Sequence, residues 1–589
     1  MTRRTSRGKR RREQRRAESQ SNEVSRSGRW APPLGVGITR KEPSQPRDQM
    51  TTRSVLWIAG VVLLVLIFAA TIRLRLLEIP LERDEGEYAY VGQLILQGIP
   101  PYRLAYTMKL PGTSAAYAAI MAVFGQTIAG IHLGVLIINS ATILLVFLLG
   151  RHLLDSRGGA LACASYAILS LSPSVLGTAG HATHFVVLPA LAGLLLLLIG
   201  LASGSLWMFI GSGLLVGLAA LMKQPGVFFV AFALAYVVWH DRRVHAGPWT
   251  RSAARAALLA LGAAVPFSVM GLVLFWTGAF DKFWFWTVSY GHAYGSQHSL
   301  RQAIGRFREN VPGVLSNSWP LWALGAIGLA LVWREKNPAR NAAFLAGLSL
   351  CSFLAVCPGF FFRPHYFIVL LPAIALLSAV TVSSGTSLLS KTSAPRAVKH
   401  VPLLLFLAAL SYSVWAQWEF LFQMSPRVAA RSTYHNNPFP ESIEIGRYIR
   451  SHSNANDRIA VFGSEPQIYF LSGRRSATGY IYTYPLMEAQ PYARQMQLEM
   501  IDEIERASPQ VLVAVSVPTS WLPRSTSTLM IADWANSYID QHFQLVGVID
   551  IVSPSHTEYR WDGEATTYVP RSRNVLRVYQ RKGEIHRAP

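Results

Sequence analysis

Long uncharged apolar runs constrain this chain more than any other feature. Residues 54–71 and 185–201 contain no charged side chain, and each run approaches the roughly 18 to 20 residues with which a helix crosses a bilayer. Of the 589 residues, 51% are hydrophobic and 15% are charged, whereas soluble proteins average about 25% charged residues. The sequence therefore predicts an integral membrane protein.

The excess of positive charge is unevenly placed along the chain. The formal net charge is +23, and much of it lies in the first fifty residues and in short loops between apolar runs. Residues 1–52 are rich in Arg, Ser and Gln and lack apolar periodicity, which predicts a disordered basic cytoplasmic tail. This placement favours contact with anionic membrane lipid over nucleic-acid binding. We therefore expect membrane lipid as a partner and no nucleic acid.

Apolar runs predict about eleven transmembrane helices, near residues 54–76, 130–150, 158–177, 184–201, 206–223, 226–240, 254–278, 319–333, 341–357, 365–383 and 401–418. If the basic tail is cytoplasmic, four of the five internal loops on its side obey the positive-inside rule. An odd number of spans places the two termini on opposite sides. We predict a multi-pass transmembrane domain at 53–418, whose first outer loop is 77–129, and an extracytoplasmic domain at 419–589.

The segment after the last span has the composition of a soluble α/β domain. Helices are predicted up to about residue 451 and at 488–507, and strands at 458–462, 511–517 and 545–552. The turn at 463–466 follows a strand but lacks the glycine spacing of a phosphate-binding or dinucleotide-binding loop.

Five carboxylates are concentrated in the first outer loop, close to the membrane: Glu78, Glu82, Asp84, Glu85 and Glu87. An unpaired ionised group is costly to desolvate there. One interpretation is solvated loop charge paired with Arg83, Arg103 and Lys109. The other is a carboxylate base beside a lipid-borne substrate, a role that contributes roughly 10² to 10⁴ in rate.

Three stretches together resemble a known family. They are Asp84-Glu85 with Lys109-Leu110-Pro111-Gly112 in the first outer loop, Met222-Lys223-Gln224-Pro225-Gly226 at the end of one span, and Arg363-Pro364-His365-Tyr366 at the start of another. The set is similar to the GT-C superfamily of membrane glycosyltransferases, of the protein O-mannosyltransferase and aminoarabinose-transferase type, over residues 54–385. The resemblance implies a GT-C fold in a bacterial inner (plasma) membrane.

The resemblance also implies the chemistry. Such enzymes take a sugar from a polyprenyl-phosphate donor and invert its anomeric centre, with an Asp of the first outer loop as general base. The matching residue is Asp84, with Glu85 as its supporting catalytic neighbour. The implied substrate-binding residues are Glu87, Lys109, Lys223, Arg363, His365 and Tyr366. The chain has Lys-Leu-Pro where the family commonly has Lys-Pro-Pro, and interfacial anchoring is the alternative role for Lys223, Arg363 and His365.

Other features leave alternatives open. No soluble cofactor is expected, because the lipid carries the activated sugar. A divalent metal is possible but is not indicated by the sequence, since other branches of the superfamily use one. His181 and His184 have the spacing of a helical turn, but no sequence-adjacent carboxylate completes a ligand set. The aromatic run 284–290 favours an interfacial belt over a sugar platform. The acceptor is a protein, a lipid or a polysaccharide, and a transporter or lipid flippase is the rival function.

Overall fold

Helices dominate the described chain up to residue 451. The computed structural model describes residues 52–244, 247–333, 339–393 and 395–583. The chain divides into two units, Met1–Val55 and Leu56–Pro589, and all the packing considered below lies within the second. The tail predicted at 1–52 falls outside the described residues apart from Thr52.

The α-helices of this part are α1 (Thr52–Arg75), α2 (Arg83–Leu96), α3 (Gly112–Phe124), α4 (Ile128–Leu153), α5 (Ser156–Leu169), α6 (Ala182–Ser203), α7 (Leu206–Met222), α8 (Val227–Arg243), α9 (Trp249–Trp276), α10 (Phe280–Trp284), α11 (Gly291–Gly295), α12 (Leu300–Leu315), α13 (Trp319–Leu331), α14 (Ala339–Val356), α15 (Leu371–Ser390), α16 (Val401–Trp415), α17 (Pro426–Tyr434) and α18 (Phe439–Ser451). Short 3-10 turns lie at Pro173–Val175, Gln224–Gly226, Pro358–Phe360, Pro364–Leu370 and Arg396–His400, and π-helical turns at Phe285–Tyr290 and Glu419–Gln423.

Membrane crossing is possible for only some of these helices. Within the described ranges, seven helical segments are long and apolar enough to span, or eight if the pair α12 and α13, bent by 113°, forms one span. Every predicted span overlaps a helix, but α5 has only 14 residues, and α7 and α8, with 17 residues each, lie at the lower limit of about 17 to 25 residues for a span. The multi-pass prediction is confirmed at this coarser level, and the number of about eleven stays a prediction.

The predicted first outer loop contains two helices, α2 and α3. A reciprocal cap sets the start of α2: the Glu82 side chain accepts a hydrogen bond from the Glu85 backbone N–H at 3.0 Å, and the Glu85 side chain accepts one from the Glu82 N–H at 3.2 Å. This cap stabilises the first turn of α2. Asp84 stands in that turn.

The C-terminal region forms a mixed sheet with helices, as predicted. Its further elements are β1 (Arg458–Phe462), α19 (Gln467–Ser472), β2 (Arg475–Ser476), α20 (Tyr484–Met487), α21 (Ala493–Ala507), β3 (Val511–Ser516), α22 (Pro518–Trp521), α23 (Met530–His542), β4 (Phe543–Ser553), β5 (His556–Trp561), α24 (Gly563–Thr567) and β6 (Val575–Arg581). The strand order is β2-β1-β3-β6-β4-β5, with β1 parallel to β2 and β3 and the remaining pairs antiparallel. The helix predicted at 488–507 begins only at Ala493.

Helix α2 shares an apolar core with this sheet region. Tyr88, Val91 and Leu94 belong to the same buried cluster as Ile468 of α19 and strand residues of the sheet. The backbones of α2 and α19 approach closely at residue 86, which explains why this residue is glycine: a Cβ atom there would lie 2.6 Å from the Gln467 backbone nitrogen. The helix that carries the acidic segment is therefore packed directly against the C-terminal sheet region.

Candidate active site

The acidic segment is organised around one lysine. Lys109 Nζ donates to Asp84 Oδ1 at 2.7 Å and to Glu87 Oε2 at 2.5 Å. Glu87 is 1% exposed and Asp84 19% exposed. The spacing of α2 places both carboxylates on one face, where a single ammonium contacts both. Lys109 therefore pairs with carboxylates of the first outer loop, as predicted, and all three side chains line one cavity.

This arrangement favours the ionised form of Asp84. Burial opposes ionisation, but the Lys109 ammonium and the imidazoles of His365 and His181 outweigh it, and the pKa of the Asp84 carboxyl lies well below its ordinary value. The same carboxylates hold the pKa of Lys109 well above its ordinary value despite burial. An ionised carboxylate therefore lies beside a charged ammonium, which places a proton acceptor next to an anion-binding group.

Residue Glu85 faces away from this pair. Its Oε1 accepts hydrogen bonds from His132 Nε2 at 3.1 Å and from the Gly180 N–H at 2.5 Å. The side chain is 1% exposed and does not line the cavity that contains Asp84. It ties α2 to the segment that carries His181. The supporting role of Glu85 stays a prediction. Its contacts suit a residue that positions α2, and with it Asp84.

Seven of the eight predicted site residues line one cavity of about 660 Å³: Asp84, Glu87, Lys109, Lys223, Arg363, His365 and Tyr366. Such a volume is typical of ligand sites, which range over about 300 to 1,000 Å³. Lys223 Nζ lies 3.9 Å from the centre of the Tyr366 ring, and Arg363 lies over the Phe361 ring at 5.4 Å. The cavity therefore brings basic side chains from three distant parts of the chain to the carboxylates of α2.

A pair of histidines stands next to Asp84. The rings of His181 and His365 are stacked with centroids 4.1 Å apart and planes at 9°, and one nitrogen of each lies 3.9 and 3.8 Å from Asp84 Oδ2. The sequence did not anticipate a carboxylate beside His181, because Asp84 is far away along the chain. His184 instead bonds to the Gly177 carbonyl at 2.9 Å through Nε2.

These three side chains are close enough to suggest a metal site, with ligand atoms within 4.8 Å of one another. Imidazole binds a metal through a lone pair in the ring plane, and two nearly parallel planes do not direct their lone pairs to one point. Asp84 bonds to Lys109 through Oδ1, and its Oδ2 faces the two rings. The arrangement does not fit a resident ion, and we derive no step from one.

The C-terminal region supplies part of the cavity wall. Tyr482, Tyr484 and Glu488 line the cavity, and the Tyr482 hydroxyl lies 3.1 Å from the Arg83 carbonyl and 3.4 Å from Asp84 Oδ1. Sequence reasoning missed all three. The Tyr-rich run around residue 482 was the only available signal, and it carries no motif.

Arg83 fastens the same region to the start of α2. Its guanidinium donates to Glu465 Oε1 at 2.8 Å, to Asn437 Oδ1 at 3.1 Å and to the Ser464 carbonyl. Glu465 is fully buried and also accepts from the Ser520 hydroxyl at 2.6 Å. The turn at 463–466 is therefore an anchor for Arg83.

The aromatic run 284–290 behaves differently from the predicted interfacial belt. Trp286 is 1% exposed and Tyr290 2% exposed, whereas Trp284 is 53% exposed. Trp286 and Tyr290 line the cavity. The belt interpretation is wrong for these two residues, because a π-helical turn at Phe285–Tyr290 directs them inward.

The fold is similar to that of solved membrane glycosyltransferases. ArnT from Cupriavidus metallidurans, in a crystal structure bound to undecaprenyl phosphate, matches 90% of this chain and 98% of its own length at 14% identity and a TM-score of 0.55. The chain has the GT-C fold. The archaeal oligosaccharyltransferase AglB from Archaeoglobus fulgidus, in complex with an inhibitory peptide and a dolichol-phosphate, matches 89% of this chain and 76% of its own length at 14% identity and a TM-score of 0.50.

A comparison of sequences with protein-family models also finds a match. Residues 109–272 match the family described as dolichyl-phosphate-mannose-protein mannosyltransferase, so this part of the chain is homologous to glycosyltransferases, as predicted. No curated protein matches the chain. The predicted resemblance to the GT-C superfamily is confirmed, and it favours an enzyme over a transporter or flippase.

Proposed function

We propose that this protein is an inverting glycosyltransferase that moves a sugar from a polyprenyl-phosphate donor to an acceptor at the outer face of the membrane. The observation that carries the proposal is the cavity in which Asp84, held ionised by Lys109, shares a wall with Lys223 and Arg363. ArnT and AglB were solved with a polyprenyl phosphate or dolichol-phosphate, which supports a donor of that class.

The cavity provides a group for each step of an inverting displacement. An acceptor hydroxyl forms a bond to the anomeric carbon while its proton passes to the Asp84 carboxylate. The bond from that carbon to the phosphate oxygen breaks, and its electron pair leaves with the polyprenyl phosphate. Charge therefore grows on the phosphate in the transition state, where fixed cations stabilise it most.

The cations are placed for this task. The Lys109 ammonium has three protons, and Asp84 and Glu87 use two of them. The third remains for a phosphate oxygen. Lys223 and Arg363 line the same cavity, and the planar guanidinium of Arg363 suits a phosphate with two oxygens exposed. His365 and Tyr366 complete this wall.

We also propose the domain arrangement: a transmembrane domain at 53–418 with about eleven spans, a cytoplasmic N-terminus and an extracytoplasmic domain at 419–589 in the inner membrane. The contacts of Arg83 with Glu465 and of Tyr482 with Asp84 support it, because they require α2 and the C-terminal region to lie on the same side. A phosphatase reporter that folds only outside the cytoplasm, fused after Phe420, is expected to be active, and one fused after Arg243 inactive. The reverse pattern would contradict the orientation.

The catalytic assignment is tested with Asp84→Asn. Purified protein is incubated with undecaprenyl phosphate that carries radiolabelled mannose, glucose or aminoarabinose, together with washed membranes as acceptor. Transfer is expected to fall by roughly 10² to 10⁴, because the amide cannot accept the proton. Glu78→Gln, an exposed carboxylate of the same loop, is the matched control and should transfer normally. Equal transfer by Asp84→Asn and wild type, or none by wild type, would contradict the proposal.

A further inference from the structure

Glu488 is a carboxylate of the cavity wall that the proposed mechanism does not use. Its Oε2 accepts hydrogen bonds from the Tyr290 hydroxyl at 2.6 Å and from Gln297 Nε2 at 3.0 Å. Arg524 donates to Gln297 Oε1 at 2.7 Å and so fixes the amide with its NH₂ toward Glu488. Both bonds fall on Oε2, and within the described residues Oε1 has no donor of its own.

The Oε1 atom of Glu488 is therefore available to accept a hydrogen bond from a ligand in the cavity. Glu488 lines the cavity that contains Asp84, and burial raises the pKa of its carboxyl in spite of the bonds from Tyr290 and Gln297. A desolvated carboxylate oxygen is stabilised by any hydroxyl that reaches it, and hydrogen bonds to an ionised acceptor are the strong ones. The carboxylate is thus oriented by its neighbours and open to a ligand.

Aromatic side chains line the cavity wall that includes Glu488. Tyr290, Tyr294 and Phe361 line the same cavity. The rings of Tyr294 and Phe361 are stacked with centroids 4.8 Å apart and planes at 18°, and the Tyr290 ring lies 6.3 Å from that of Tyr294. Flat rings contact the C–H face of a sugar, while its hydroxyls seek an oriented acceptor. Apolar walls with a few convergent polar groups are typical of small-ligand sites.

Charged side chains near this wall of the cavity bear on which ligand can bind there. Arg306, Arg363 and Arg524 also line the cavity, and Arg306 and Arg363 lie 5.6 and 5.4 Å from the centre of the Phe361 ring. These guanidinium groups and the carboxylates of Asp84, Glu87 and Glu488 line the same cavity, so its charge alone does not select a strongly cationic ligand. A neutral ligand rich in hydroxyls is repelled by neither set of charges.

We propose that Tyr290, Tyr294, Phe361 and Glu488 form a carbohydrate subsite that binds a sugar ring of the acceptor. The acceptor is accordingly a glycan or the glycan of a glycolipid, and peptide acceptors are the alternative that the test below includes. This inference rests on the proposed function, in which Asp84 receives the proton of the hydroxyl that is glycosylated. It assigns to the C-terminal region, through Glu488, a part in selecting the acceptor.

The test is binding, which needs no turnover. Full-length protein in nanodiscs is applied to an array of bacterial-envelope oligosaccharides, free and lipid-linked, beside an array of peptides with Ser, Thr and Asn. Wild type is expected to bind a subset of the saccharides. Glu488→Gln, which turns the free acceptor into a donor, and Tyr294→Ala are each expected to weaken this binding at least tenfold.

Glu499→Gln is the matched control. Glu499 belongs to the same region and accepts from the Tyr480 hydroxyl at 2.7 Å and from Lys282, but it does not line the cavity. This variant should bind saccharides as wild type does. Thermal unfolding of each variant separates a lost contact from a lost fold, and a Glu488→Gln protein that melts like wild type yet binds normally would overturn the subsite.

Other outcomes also decide the matter. Binding to peptides alone, or to neither array, would overturn the inference. If undecaprenyl-phosphate mannose, glucose or aminoarabinose displaces the saccharide, the subsite belongs to the donor and its assignment to the acceptor is wrong. The proposed function fails separately, if Asp84→Asn transfers sugar as well as wild type does or if wild type transfers none, and neither result depends on the array.

Discussion

Replacing Lys109 with methionine is expected to lower sugar transfer by roughly a thousandfold and the free energy of unfolding by about 3 kcal/mol. The reason is the double role of one ammonium group. Lys109 Nζ holds Asp84 and the buried Glu87 together at 2.7 and 2.5 Å, so its loss leaves two carboxylates facing each other without a counter-charge. The same loss removes a cation from the departing phosphate.

The two effects are measured separately. Transfer from labelled undecaprenyl-phosphate sugar reports the first, and chemical denaturation in detergent reports the second. Lys282→Met is the matched control, because Lys282 also pairs with a carboxylate, Glu499 at 2.5 Å, but at a site where Lys282 is 43% exposed. An exposed pair of this kind contributes at most about 1 kcal/mol. Full transfer by Lys109→Met would remove Lys109 from the proposed site.

Lys109→Arg distinguishes charge from geometry. Arginine keeps the positive charge, but its planar guanidinium cannot direct three protons from one nitrogen toward two carboxylates and a phosphate. We expect Lys109→Arg to recover most of the stability that Lys109→Met loses and little of its transfer. Equal recovery of both would show that the ammonium acts through charge alone.

The membrane part was predictable because apolar periodicity and length act locally. Every predicted span overlaps a helix. What sequence could not supply is how helices bend and shorten: the 113° bend between α12 and α13, and the π-helical turn that directs Trp286 and Tyr290 inward, depend on neighbouring elements. Such irregular turns have no strong local signal.

The residues of the site were predicted from the family resemblance and not from their spacing in the sequence. Asp84, Lys109, Lys223 and His365 were named through motifs, and the fold brings them to one cavity. Tyr482 and Glu488 were missed because they come from a region some four hundred residues away whose strands and loops carry no motif. Long-range packing decides such contacts, and a single sequence does not encode them in a readable form.

Gly86→Leu is expected to lower the free energy of unfolding by about 3 kcal/mol and to lower transfer at least tenfold. Glycine in a helix interior costs roughly 0.5 to 1 kcal/mol relative to alanine, so its presence in α2 calls for a packing reason. A Cβ atom at this position would lie 2.6, 2.7 and 2.8 Å from the backbone nitrogen, the Cβ and the Cα of Gln467. Backbone atoms of α19 cannot rotate away, so the two elements must separate.

Separation acts on the site through the neighbours of Gly86. Arg83 and Asp84 precede it on α2 and contact Glu465 and Tyr482 of the C-terminal region, so a displaced α2 loses both contacts and moves the proton acceptor. Gly60→Leu is the matched control, because a Cβ at Gly60 has nothing within 4 Å. If Gly86→Leu transferred sugar like Gly60→Leu, the cavity would not depend on the C-terminal region. Loss of transfer in Gly86→Leu alone makes that region part of the active site.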